Sequence, residues 1–248
     1  MALVTGAGRR VGRVIAEQLA ADGYRIAAHA HHSLPAAGQL ARALSAQGRE
    51  AIAVQADLSR EAETRKMIDR VHELFGRIDA LVNSAALWVP KPLQEVTAED
   101  VRNHFELNTL GTFVCCQQVG MHMVQQTTGG GIVNIGDWAI ARPYVGYSAY
   151  FSSKGTVPAM TRMFAVELGR RNPNVRVNAV LPGPVMLPDD LTPQQRQAVI
   201  EATLVRREGR PENVAHAVLF LLQNDFVTGV SLPVDGGRTV FAPDVDGS

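Results

Sequence analysis

Short apolar runs that alternate with stretches of helical spacing constrain this chain more than any other feature. The runs are Ala2–Val4, Tyr24–Ala30, Ala51–Ala56, Ile78–Val82, Ile132–Ile135, Val175–Leu181 and Val230–Val234. Between two of them, Arg60–Gly76 sets Met67, Ile68, Val71, Leu74 and Phe75 on one helical face. A helix after nearly every strand indicates parallel strands joined by crossovers. The chain is predicted to be α/β: one doubly wound domain with a parallel seven-stranded sheet and helices on both faces. Its 248 residues suit a single domain of this kind, with a cofactor half over about residues 1–130 and a catalytic and substrate half over about 131–248.

The first strand runs into Thr5-Gly6-Ala7-Gly8-Arg9-Arg10-Val11-Gly12, and a helix continues through Ile15, Ala16, Leu19 and Ala20. Strand, glycine turn and helix start form the context in which glycines mean a dinucleotide phosphate. Glycine lets the backbone approach the pyrophosphate, and the helix N-terminus offers free N–H groups. The spacing of Gly6 and Gly12 is looser than Gly-x-Gly-x-x-Gly. The second strand ends in His31-His32-Ser33, and no acid stands between Tyr24 and Glu50. An acid there would hold a ribose 2′-hydroxyl, whereas a 2′-phosphate calls for cations such as Arg9, Arg10 and His32. NADPH is therefore expected over NADH. Asp57-Leu58 closes the third strand where an adenine edge would be met, and the small Asn83-Ser84-Ala85 closes the fourth. Trp88, in the following loop, reads equally as a core plug or as a stacking platform.

The catalytic candidates lie between Gly136 and Lys154. Tyr150 and Lys154 are four residues apart, one turn on a helix face. A lysine ammonium beside a phenol lowers its pKa from about 10, making an acid tuned toward neutrality. Asp137 follows the strand Ile132–Ile135 and faces this pair from a strand end. Asn108 lies inside a long helix expected from Thr97 to about Gln126, where a mid-helix Asn implies a polar task. Pro158 is expected to bend the helix that carries Tyr150. After the sixth strand, Pro182-Gly183-Pro184-Val185-Met186-Leu187 opens a longer polar stretch to Arg210, a candidate lid.

Formal net charge is zero and no basic block appears, which argues against nucleic acid. Cys115 and Cys116 are adjacent and read as packing residues rather than a disulfide framework or a metal site. No apolar run reaches the roughly 20 residues of a membrane span. MALVTGAG reads as a strand entering a turn rather than a signal peptide, and the cytoplasm is the expected compartment.

Taken together, these residues resemble the short-chain dehydrogenase/reductase family over essentially the whole chain. The matching pieces are Thr5-Gly6 with Gly12, Asp57, Asn83-Ser84-Ala85, Asn108, Tyr150-x-x-x-Lys154, Pro182-Gly183 and Val234-Asp235-Gly236-Gly237. The resemblance implies a Rossmann-type domain, a homotetramer and hydride transfer to or from a nicotinamide. It makes Tyr150 the proton donor, gives Lys154 the ribose and has Asn108 hold a water in the proton path. It also implies cofactor contacts from Gly6, Arg9, Arg10, Val11, Gly12, His31, His32, Ser33, Asp57, Leu58, Asn83, Ser84, Ala85, Pro182, Gly183 and Val185.

Arg9-Arg10, His31-x-Ser33, Trp88 and Asp137 are similar to the pteridine and dihydromonapterin reductase branch. That branch implies a pterin substrate held by Arg10, Trp88, Asp137, Tyr150, Met186 and Leu187. The alternative is a general carbonyl reductase of 3-oxoacyl, sugar or steroid substrates. Two positions depart from the common family pattern. Asp137 stands where most members have serine, and Ser84 replaces a second Asn.

Overall fold

A computed structural model of the chain describes residues 1–241. Strands β1 (Ala2–Thr5), β2 (Ile26–Ala30), β3 (Ala51–Gln55), β4 (Ala80–Asn83), β5 (Gly130–Ile135), β6 (Val175–Pro182) and β7 (Ser231–Val234) form one sheet. Their order is β3-β2-β1-β4-β5-β6-β7 and every neighbouring pair is parallel. The chain winds outward from β1 in one direction and from β4 in the other. A crevice therefore opens between β1 and β4, at the strand C-termini.

The two faces bury separate cores. Helices α1 (Arg10–Ala21), α2 (Leu34–Ala46) and α9 (Pro211–Gln223) bring Ile15, Leu19, Leu40, Val218 and Leu221 against Val4, Ile26, Val82 and Val133. On the other face, α3 (Glu61–Phe75), α5 (Thr112–Gln125) and α7 (Val157–Gly169) bring Ile68, Val119, Met123 and Phe164 against Leu3, Leu81, Ile132 and Val177. Strands covered on both sides need apolar residues at every position, which is why they read as continuous runs. Three shorter helices, α4 (Ala98–His104), α6 (Ser148–Lys154) and α8 (Pro193–Glu201), sit near the strand C-termini.

The elements depart from expectation in three informative places. β2 and β4 each start two residues late, because local partners take the backbone first. The Tyr24 N–H is held by the Leu19 carbonyl at the end of α1, and the Ile78 N–H by Gln126 Oε1. The helix expected from Thr97 begins with a full capping box, Thr97 with Asp100, but its middle is a π segment, Phe105–Gly111, between α4 and α5. The third departure is sharper than the bend expected at Pro158. The helix stops at Lys154 and restarts at Val157, with the proline in the first turn of α7, where its missing N–H costs nothing.

No helix among the described residues is long and apolar enough to cross a membrane. The cysteines are fully buried in α5, and burial raises the Cys115 thiol to about 12.

Candidate active site

The glycine turn lies at the mouth of the crevice. Gly6 has φ +68°, and a Cβ there would meet Ala85 Cα at 2.9 Å. A Cβ on Gly12 would meet the Gly6 carbonyl at 2.5 Å, and one on Gly8 the Ser33 hydroxyl at 2.6 Å. The turn is thus closed around its glycines and leaves backbone, not side chain, facing outward. α1 begins without a side-chain cap and with no acid in its first turn, so its free N–H groups and positive end suit an anion. These features fit a dinucleotide pyrophosphate.

Thr5 ties the turn to β4: its hydroxyl accepts from the N–H groups of Ser84 and Ala85 at 3.0 and 3.1 Å. Arg9 and His32 are exposed, while His31 and Ser33 are half-buried beside them. Asp57 accepts from Ser59 and lies 3.9 Å from His31 Nδ1, and Leu58 is buried beneath it.

Asp137, Tyr150 and Lys154 come together at the end of β5. Tyr150 Oη donates to Asp137 Oδ2 at 2.8 Å, and Asp137 Oδ1 accepts from the Ala139 N–H at 2.8 Å. The tuning expected from sequence is not what this geometry gives. Burial first, and the Asp137 carboxylate second, push the Tyr150 phenol well above its ordinary value. Lys154 Nζ donates instead to the Ile135 carbonyl at 2.7 Å, and burial brings its pKa down to about 8. Burial also raises the Asp137 carboxyl, against the pull of Ala139, Tyr150 and Lys154. Phenol and carboxyl therefore titrate as one coupled pair.

Asn108 is buried, and its side chain ties the loop after β4 to α6. Its Oδ1 accepts from the Leu87 N–H at 2.8 Å, and its Nδ2 donates to the Leu87 carbonyl and to Ser153 Oγ. The Asn83 side chain likewise turns inward, donating to Asn134 Oδ1 at 2.9 Å, and Asn134 passes the chain to Thr161. Buried amides take protein partners where they can, though Asn83 Oδ1 has none among the described residues.

Trp88 is not a core plug. It is 40% exposed and stacks on Tyr147 at 5.0 Å, whose ring edge points at Tyr150. The lid follows β6. Pro182, Gly183 and Val185 border the crevice, and a Cβ on Gly183 would lie 2.4 Å from Asp235 Cα. Arg10 (φ 53°) reaches across to donate to the carbonyl of Met186 (φ 54°) at 2.8 Å. Glu208 accepts from the Leu187 N–H and pairs with Arg196, holding the two ends of the lid together.

Sequence reading missed Tyr147, His29 and Glu208. Tyr147 stands three residues before Tyr150, a spacing that could have revealed it. His29 is a lone imidazole in an apolar strand, another available signal. Glu208 carried no signal, since its partners are set by the path of the lid. Among the described residues no group of three or more His, Cys, Asp or Glu side chains is placed to hold a metal ion.

A family model described as enoyl-(acyl carrier protein) reductase matches residues 6–239. A 3-oxoacyl-(acyl-carrier-protein) reductase from Synechocystis is 34% identical over 245 residues, covering 97% of each chain. A human 3-oxoacyl-(acyl-carrier-protein) reductase is 32% identical over 238 residues, covering 94% of this chain and 95% of its own. Among solved structures, a blue fluorescent protein from a metagenomic library in complex with NADPH superposes with TM-score 0.86 at 35% identity, covering 96% of each chain.

Proposed function

We propose that this chain, which belongs to the short-chain dehydrogenase/reductase family, is an NADPH-dependent carbonyl reductase in which Tyr150 protonates the substrate oxygen. The observation that carries the reading is the Tyr150–Asp137 hydrogen bond at the end of β5, beside a crevice whose glycine turn fits a pyrophosphate. The nicotinamide supplies the hydride. As negative charge grows on the carbonyl oxygen, Tyr150 gives up its proton to it, and a proton relayed through Asp137, to which the phenol is hydrogen-bonded, restores the phenol. The raised carboxyl of Asp137 makes this direction possible. Asp137 then acts as the donor that a serine supplies in most of the family. Lys154 holds the Ile135 carbonyl and so fixes the strand end that presents Asp137.

The cations Arg9, Arg10 and His32, with no acid after β2, favour NADPH over NADH. The named relatives support a ketone substrate of the 3-oxoacyl type. A cytoplasmic homotetramer completes the proposal, on family analogy.

A second reading, reduction of a pterin, is favoured by one observation. An ionised Asp137 only accepts, and the N–H groups of a flat ring stacked on the open face of Trp88 would supply its donors. One assay separates the two. NADPH oxidation is followed with 3-oxoacyl thioesters and activated ketones, and in parallel with dihydropterins. The primary reading expects ketone turnover that holds or rises in Asp137→Ser. A wild type that reduces dihydropterins and ignores ketones, with activity lost in Asp137→Ser, replaces it with the second.

A further inference from the structure

His29 sits in the middle of the cofactor side of the sheet and has no place in the chemistry just described. It is the one imidazole of β2, in the run Ile26-Ala27-Ala28-His29-Ala30, and only 1% of its surface is exposed. A buried polar ring must find partners, and both of its nitrogens do so outside its own strand. Nδ1 lies 3.3 Å from the backbone nitrogen of Gly6, and Nε2 lies 3.0 Å from the carbonyl oxygen of Ala56. The Gly6 N–H can only donate and the Ala56 carbonyl can only accept. The ring is therefore neutral, with its proton on Nε2 and its lone pair on Nδ1. The Ala7 N–H adds a bond to the His29 carbonyl at 2.9 Å.

One residue thus pins the first glycine of the turn to the ends of β2 and β3. Gly6 is also left-handed, with φ +68°, and within contact of Ala85. Its N–H is not turned outward to an anion. With the Gly6 and Ala7 N–H groups both held by His29, an anion is left to the later N–H groups of the turn and the start of α1.

We infer that His29 is a positioning residue for the dinucleotide, fixing the shape of the Gly6–Gly12 turn from beneath without touching the ligand. The inference rests on the cofactor reading above. Neutrality of the ring is supported by its surroundings. Burial first, and the neighbouring His31 as well, disfavour the charged form, and only the Ala56 carbonyl opposes them. At the two strand ends it bridges stand His31, after β2, and Asp57, after β3, which is itself met by Arg60.

The test compares His29→Leu with His29→Gln. Leucine fills the space and leaves the Gly6 N–H and the Ala56 carbonyl unpaired. Glutamine keeps one acceptor and one donor. NADPH dissociation constants are measured by fluorescence, kcat at saturating NADPH, and hydrogen exchange of the Gly6 amide by NMR without cofactor. His29→Leu is expected to weaken NADPH binding about tenfold, equivalent to about 1.4 kcal/mol. The loss should fall on the dissociation constant and not on kcat, and Gly6 should lose its protection from exchange. His29→Gln should recover both to within about threefold of wild type.

The inference is overturned if His29→Leu binds NADPH as the wild type does, if glutamine fares no better than leucine, or if kcat falls in parallel with binding. A wild type that binds no dinucleotide overturns the cofactor reading instead. In that case Gly6 exchange decides alone whether His29 holds the turn, and an unprotected Gly6 in the wild type removes that as well. Should His29→Leu fail to fold, the 15N shifts of the wild-type ring report the tautomer, and a proton on Nδ1 would refute the arrangement.

Discussion

Tyr150, buried, and Asp137, half-buried, are 2.8 Å apart, so neither titrates alone. Tyr150→Phe removes the proton donor and keeps the ring. We expect kcat to fall by about 10²–10⁴-fold while the NADPH dissociation constant stays near the wild-type value. A normal kcat would place the acid elsewhere. The sign of the pH effect follows from the raised carboxyl of Asp137. Carbonyl reduction needs the protonated pair, so kcat/KM for a ketone is highest at low pH. It should fall as pH rises through a midpoint above the ordinary carboxylate value of about 3.9. Asp137→Ser cannot ionise in that range and should flatten this limb of the profile. A limb unchanged in Asp137→Ser would assign it to another group. Lys154, brought to about 8 by burial, belongs to a second limb at higher pH, which Lys154→Gln should remove.

At the scale of elements, the π segment is the feature that sequence concealed. Asn108 within it clamps the loop after β4 through both the N–H and the carbonyl of Leu87, and reaches α6 through Ser153. Asn108→Leu abolishes three bonds and strands buried partners. It should cost about 1–3 kcal/mol per stranded group, seen as a lowered urea midpoint, and should also weaken substrate binding as Trp88 loses its footing. A midpoint equal to wild type would show that the clamp is dispensable. The strands, the glycine turn and the Tyr150–Lys154 spacing were legible in sequence because each follows from local pattern. The bond from Lys154 to the Ile135 carbonyl was not. The direction an ammonium takes depends on a carbonyl at position 135 and a carboxylate at position 137, which meet it only once β5 and α6 pack. The inward turn of Asn83 escaped for the same reason, since its partners Asn134 and Cys116 come from other elements.

For the molecule as a whole, packed helices α5 and α7 and the π segment before them leave Leu110, Met121, Met163 and Val166 exposed. Apolar residues in such number on adjoining helices suit burial against another copy, in line with the proposed tetramer. Sedimentation equilibrium at micromolar concentration should give the mass of four chains, and Val166→Glu should shift it downward. A wild-type monomer would contradict the proposal. The lid stands apart from this economy of burial. Not one residue of α8 is buried, and the segment is tied down at its margins by Glu208 and by Arg10 on Met186, and at α8 by Arg238 on the Val199 carbonyl. Neither core depends on it. In evolutionary terms the lid is an interchangeable part: its sequence is free to drift, lengthen or be replaced while sheet, turn and acid pair stay as they are. New substrates for this scaffold should therefore be sought first by varying the exposed positions among residues 189–198, where a change of specificity carries little penalty in folding.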